Sequence, residues 1–287
     1  MRGFIMNKPI IAIMYDFDKT LCTRDMQEYT FIPSVGMDPD EFWNLTGKVA
    51  KAETMDSILT YMYCMVEKAR ETGIPLTRES LVACGKDIEY HKGVEEWFQR
   101  INHYAEQAGV IVEHYVLSSG LKEIIEGTSI AKYFKKIYAC EFLYKDGQAY
   151  WPKMAVNYTN KTQFVYRINK GVLDINNNVD LNSSRPDSEK RVLFSNMIYI
   201  GDGLTDVPCM KLVKQSGGRS IAIYHPGEDH NAAPLLKHKR VDWMFEADYS
   251  KGSELDRTME LLLKNLAYQN KLQEINEQQK KDLDEDL

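Results

Sequence analysis

Asp16 and Asp18 stand two residues apart in Asp16-Phe17-Asp18-Lys19-Thr20-Leu21. Carboxylates that close repel each other unless a cation lies between them or one keeps its proton. A hard metal ion with oxygen ligands meets that need. Asp202 and Asp206 form a second acidic pair in Gly201-Asp202-Gly203-Leu204-Thr205-Asp206. There the glycines allow a tight turn and close approach of backbone to a ligand. A third polar stretch, Ser118-Ser119-Gly120, offers two hydroxyls and a glycine.

Each stretch follows an apolar run: 9–15, 197–200 and 115–117. Runs this short, continuous and rich in β-formers predict buried strands. Ligands bind at the C-terminal edge of an α/β sheet, so three strand ends would deliver these groups to one site. Taken singly, Asp16 or Asp202 would serve as a helix N-cap, and Ser118-Ser119-Gly120 as a turn. Their repetition behind three strand-like runs carries the reading.

In type and order these motifs resemble the haloacid dehalogenase superfamily of hydrolases. Asp16, Asp18 and Thr20 match its DxDxT motif, Ser118 its strand-ending Ser or Thr, and Asp202 and Asp206 its GDxxxD-type pair. The third motif is a lysine. Lys161, opening a helix that would point its N-terminus at the sheet edge, is preferred over Lys170, nine residues on. The resemblance implies a Rossmann-like parallel sheet with a helical C1-type cap inserted after the first motif, closest in layout to the phosphoserine-phosphatase-like branch. A dehalogenase lacks an acid at the position of Asp18, and a P-type ATPase has a lysine where this chain has Phe17.

The organisation of the chain agrees with an insertion. Strand signals stop between 21 and 91, where helical spacing of Met55, Ile58, Leu59, Met62 and Met65 predicts a helix over 51–71. Thr77 is a candidate N-cap for a short helix over 77–84. The expected division is 1–21 and 92–287 for the α/β core and 22–91 for the cap. A helix over 92–107, strands over 113–118 and 137–142, and a hairpin at Asp146-Gly147 follow. Residues 159–169 read as a helix ended by Gly171, 174–187 as a loop, and 220–224 and 241–245 as later strands. The chain from 253 on reads as a helix, frayed from about 270 to 287.

The 287 residues are 44% hydrophobic, enough for a sizeable core, and carry a net charge of -6. That balance argues against a general nucleic-acid binder; the basic cluster 237–240 reads as a solvated loop or helix end. Five cysteines with no CxxC spacing predict reduced thiols and a cytoplasmic protein. No segment approaches the roughly 20 apolar residues of a membrane span. Neither GxxxxGK[ST] nor HExxH occurs.

The chemistry implied is hydrolysis of a small phosphorylated metabolite with Mg²⁺. Asp16 would attack phosphorus and form an aspartyl-phosphate. Asp18 would protonate the leaving oxygen and later take a proton from water. Ser118, with Ser119 and Gly120, would hold phosphoryl oxygens, and Lys161 would balance the charge of Asp16 and the phosphate. The metal set would be Asp16, Asp18 (through its backbone carbonyl, by the resemblance), Asp202 and Asp206, the last also a candidate for orienting the lysine. Other readings within the superfamily are a phosphomutase and a phosphonate hydrolase, the latter requiring a cap lysine such as Lys48, Lys51 or Lys68. A reading of another class is a non-catalytic phosphometabolite-binding protein. Among Phe42, Trp43, Tyr61 and Tyr63, packing within the cap is favoured over lining a pocket. The substrate and the choice between monomer and dimer stay open.

Overall fold

The structure, a computed structural model, describes residues 8–285. Seven strands form one sheet in the order β4-β3-β2-β1-β5-β6-β7. The central strand β1 (Ile10–Tyr15) is buried over all but its first residue. It pairs in parallel with β2 (Ile111–Leu121) and β5 (Met197–Gly201), with Tyr15 opposite both Val116 and Ile200. This register brings the ends of all three strands to one edge. β3 (Phe134–Lys145), β6 (Arg219–Tyr224) and β7 (Trp243–Glu246) extend the parallel sheet, and β4 (Gln148–Met154) closes an antiparallel hairpin on β3.

Strand order reverses direction between β1 and β5. Because parallel crossovers are right-handed, the reversal puts helices on both faces of the sheet and opens a crevice at that point. On one side lies α5 (Val94–Ala108), packed with the long C-terminal α11 (Glu254–Glu285). On the other, α7 (Lys161–Lys170) packs with α9 (Val207–Gln215). Short α6 (Lys122–Glu126) follows β2, α8 (Asn178–Asn182) follows α7, and α10 (Asp229–Lys237) links β6 to β7.

Four helices fill the stretch between β1 and α5: α1 (Phe31–Ser34), α2 (Pro39–Glu53), α3 (Ser57–Thr72) and α4 (Arg78–Cys84). The fold is thus a Rossmann-like α/β sheet with a helical cap. The chain enters and leaves the cap side by side, with Thr23 N–H donating to Glu89 O and His91 N–H to Leu21 O. On that crossing we propose 22–91 as the cap and the remainder as the core.

The single helix expected over 51–71 is two helices. Thr54 adopts a left-handed conformation, with φ 51°, and ends α2. The Asp56 carboxylate then accepts from the Ile58 and Leu59 amides and starts α3, so a local cap outweighs continuous apolar spacing. Thr77 and Ser80 form the expected reciprocal cap of α4. The loop read over 174–187 contains α8 and is tied down from α7. There the buried Arg167 donates to the carbonyls of Asp174 and Ile175 and to Asn178 Oδ1. Where fraying was expected, α11 stays helical to Glu285; residues 286–287 lie outside the described residues. Hydrogen bonds such as Gln273 to Glu277 and Gln278 to Asp282 support its polar last turns. All five cysteines are free and buried. No helix among the described residues is long and apolar enough to cross a membrane.

Candidate active site

The end of β1 is fixed by the Asp16 amide, which donates to Ile200 O at 2.9 Å. Beyond it the chain turns sharply: the amides of Thr20, Leu21 and Cys22 all converge on Phe17 O. Asp16 is thereby held at the crevice between β1 and β5, 5% exposed. Lys161 arrives from the first turn of α7, whose start is built by Asn157. The Oδ1 of that asparagine accepts from the Thr159 and Asn160 amides, and its carbonyl accepts from Lys161 N–H. Lys161 is fully buried and its Nζ lies 2.8 Å from both Asp16 Oδ1 and Asp206 Oδ1. Tyr199 OH donates to the same Asp206 oxygen at 2.7 Å. Gly201 must lack a side chain here, since a Cβ would collide with the Asp206 carboxylate.

One oxygen each from Asp16, Asp202 and Asp206 lies within 4.8 Å of the others. Lys161 bridges two of these three carboxylates, and Lys19 acts on Asp202 from farther away. Burial, then Asp206, push the Asp16 carboxyl up to about 7, against the pull of Lys161. Burial and the charges of Asp16 and Asp206 also raise Asp202 well above the carboxylate range. Asp16 and Asp206 outweigh burial at Lys161 and hold it protonated. Mutual repulsion in an all-oxygen donor set is the signature of a site that fits a hard divalent cation.

The side chain of Asp18, whose backbone carbonyl alone was expected to meet a metal, takes a direction of its own. It turns away from the three-carboxylate group, and Oδ1 accepts from the Met26 amide at 2.8 Å. Burial, Asp25 and Asp16 raise it well above the usual carboxylate value, against the pull of the Met26 bond. Gly120 lets it do so: a Cβ there would meet Met26 Cε and lie 2.7 Å from Asp18 Oδ2.

The serine stretch divides its work. Ser118 is fully buried and its Oγ accepts from Gly120 N–H at 2.9 Å, so that amide is already engaged. Ser119 lines the acidic cavity, with a buried Oγ that has no protein partner. Thr20 Oγ1 is likewise buried and unpartnered. Lys170 lies elsewhere, donating to Leu181 O and Ser183 O. Lys161 is therefore the lysine that reaches Asp16.

Asp16, Asp18, Lys161, Asp202 and Ser119 bound a cavity of about 290 Å³. Through Asp18, Asp25 and Ser119 it adjoins a second hollow of about 260 Å³ under the cap, walled by Gln27, Trp43 and Tyr61. The four cap aromatics split. Phe42 is buried against Phe31 as packing, and Tyr63 lies 48% exposed beside a different groove. Trp43 and Tyr61, by contrast, line the hollow. Asp25, Gln27 and Tyr199 had no distinguishing sequence signal beyond nearness to the acidic motifs. Lys48, Lys51 and Lys68 do not line either hollow, and Lys68 pairs with Glu71. The larger depression, about 700 Å³ around Tyr90, His91 and Ser129, holds none of these acids.

Known proteins resemble this chain in sequence or in fold. An uncharacterized protein of Borreliella burgdorferi is 28% identical over 274 residues, covering 86% of this chain and 94% of its own. A HAD-family hydrolase from Salmonella enterica serovar Typhi superposes with a TM-score of 0.55 at 15% identity, over 83% of this chain and 68% of that one. A phosphoserine phosphatase, described as a phospho-aspartyl intermediate analogue, gives 0.52 at 17% identity, over 83% and 94%. A cytosolic 5'-nucleotidase IIIB bound to cytidine gives 0.51 at 16%, over 92% and 88%. At such identities the superpositions speak for the fold. The sequence profile of haloacid dehalogenase-like hydrolases matches residues 13–211, more than half of the chain, and on that match the protein belongs to this hydrolase family.

Proposed function

We propose that the protein hydrolyses a small phosphomonoester through an aspartyl-phosphate on Asp16. One observation carries the reading. Asp16 is buried at the crevice with Lys161 Nζ at 2.8 Å, and Asp18 is placed two residues on but turned toward the cap side. An oxygen of Asp16 attacks phosphorus and the ester P–O bond breaks. Asp18, kept protonated by burial and its acidic neighbours, gives its proton to the leaving oxygen. Water then attacks the phosphoryl group, Asp18 accepts the water proton, and the Asp16–phosphorus bond breaks to free phosphate. Lys161 holds Asp16 in place and offsets phosphoryl charge. Ser119 Oγ, unpartnered in the cavity wall, would donate to a phosphoryl oxygen; Ser118 Oγ accepts from the Gly120 amide and keeps its own O–H to donate.

Asp16, Asp202 and Asp206 would hold Mg²⁺, Asp206 also orienting Lys161; the ion would neutralise charge between carboxylate and phosphate. The phosphoserine phosphatase neighbour, an analogue of a phospho-aspartyl intermediate, supports this reading.

The test is phosphate release from a panel of phosphomonoesters with Mg²⁺ and with EDTA. Metal-dependent release that Asp16→Asn lowers by roughly a thousandfold or more is expected, the scale of losing a covalent nucleophile. Turnover that survives in a folded Asp16→Asn protein would sink the assignment.

A further inference from the structure

The hollow beneath the cap has a lopsided chemistry. Three of its donors are committed: Trp43 Nε1 to Glu28 Oε1 at 2.7 Å, Tyr61 OH to Ser119 O at 2.8 Å, and Thr46 Oγ1 to Trp43 O at 2.9 Å, while the unpartnered Ser119 hydroxyl stands where the hollow meets the acidic cavity. Asp25 meets Lys19 through one oxygen, at 2.7 Å, and its carboxylate also lies against that of Glu28, so negative charge gathers here in excess of the one lysine. Gln27 is 2% exposed, lines the hollow, and its Oε1 has no partner in the protein. A buried amide oxygen left alone is costly, and its partner is expected from a ligand. Trp43 and Tyr61 meet edge to face, centroids 6.2 Å apart, and present ring surface to the same space.

The only cationic side chains around the two connected hollows, among the described residues, are Lys19 and Lys161. Lys161 is sealed between Asp16 and Asp206, and Lys19 is paired with Asp25. Nothing remains on the cap side to pair with a carboxylate or a second phosphate. Spare acceptors and aromatic faces favour an ammonium instead.

We infer that the alcohol half of the substrate is a small amino alcohol without a carboxylate, its ammonium received by Asp25, Gln27 Oε1 and the Trp43 and Tyr61 rings. The inference rests on the phosphomonoesterase reading only for seating the phosphoryl group beside Asp16. It sets the chain apart from enzymes for phosphorylated α-amino acids, whose carboxylate would find no cation here.

Calorimetric titration of the wild-type protein with Mg²⁺ tests it, using three phosphonates of matched length: aminopropyl-, butyl- and carboxypropylphosphonate. The amine is expected to bind roughly tenfold or more tightly than the alkyl compound, and the carboxylate most weakly. Asp25→Asn and Gln27→Leu, checked for fold by circular dichroism, should shrink the amine-to-alkyl ratio. Equal affinity for all three, a preference for the carboxylate, no binding of any, or a ratio unchanged in both folded variants would overturn the inference. Phosphate release from phosphoethanolamine and propyl phosphate, run alongside, separates the two readings. Amine-selective binding with no release from either ester keeps the inference and removes the phosphatase reading. Release without amine selectivity does the reverse.

Discussion

Lys161 shows how much depends on one side chain. Its ammonium is fully buried between two of a group of three carboxylates. Replacing it with an isosteric apolar group leaves like charges facing each other in a medium that screens them poorly. Lys161→Met should therefore lower stability by about 3–5 kcal/mol and turnover by roughly 10²–10³-fold. Urea unfolding and steady-state kinetics would measure the two. If Mg²⁺ fills the carboxylate group, it should restore part of the lost stability and little of the turnover. A variant as active as wild type would remove the lysine from the mechanism.

At the scale of elements, α3 joins cap to core. It carries Tyr61, whose hydroxyl donates to Ser119 O at the end of β2. Its start depends on Asp56, which accepts from two α3 amides and also, through Oδ2, from Asn157 Nδ2 beside α7. Asp56→Ala should cost about 1 kcal/mol by loss of the cap. Asp56→Asn, which can still cap, should cost less. Denaturant midpoints with an unchanged m-value would show both. A midpoint shift below the error of the fit for Asp56→Ala would mean that packing alone holds this turn.

Across the whole molecule, buried histidines set a pH dependence. His114, on β2, has its ring between Tyr15 and Asn102, and burial pulls its pKa from 6.5 down to about 3. Burial likewise brings His91 to about 4, against its bond to Lys19 O and with help from His225. The unfolded chain takes up these protons below 6.5 while the folded chain refuses them. Their contribution is thus fully present above 6.5 and is lost as pH falls toward 3, by at most about 1.4 kcal/mol per pH unit for each ring. The raised carboxyls of the active site act in the opposite sense. The informative quantity is therefore the difference between wild type and His114→Gln, which should narrow as pH drops from 7 toward 4. A difference independent of pH would show that His114 contributes by packing alone.

Much of this was written locally in the sequence. Strands of five or six buried apolar residues ending in Asp16 and Asp202 are legible because a parallel central strand must be apolar on both faces and must stop where its residues turn polar. The caps at Thr77 and Gly171 are legible for the same local reason. Asp56 was equally local, but the apolar spacing that runs across it concealed the break. What only the tertiary structure decided are the directions of side chains at the meeting of distant segments. Asp18 faces Met26 and not the three-carboxylate group because Gly120, a hundred residues on, leaves it room. Lys161 rather than Lys170 reaches Asp16 because α7 enters the sheet edge by its first turn, while its last turn is spent on the carbonyls of the 181–183 segment. The hollow under the cap joins Gln27, Trp43, Tyr61 and Ser119 from four separate stretches. No spacing rule along the chain relates them, since their proximity is set by how the cap packs on the core.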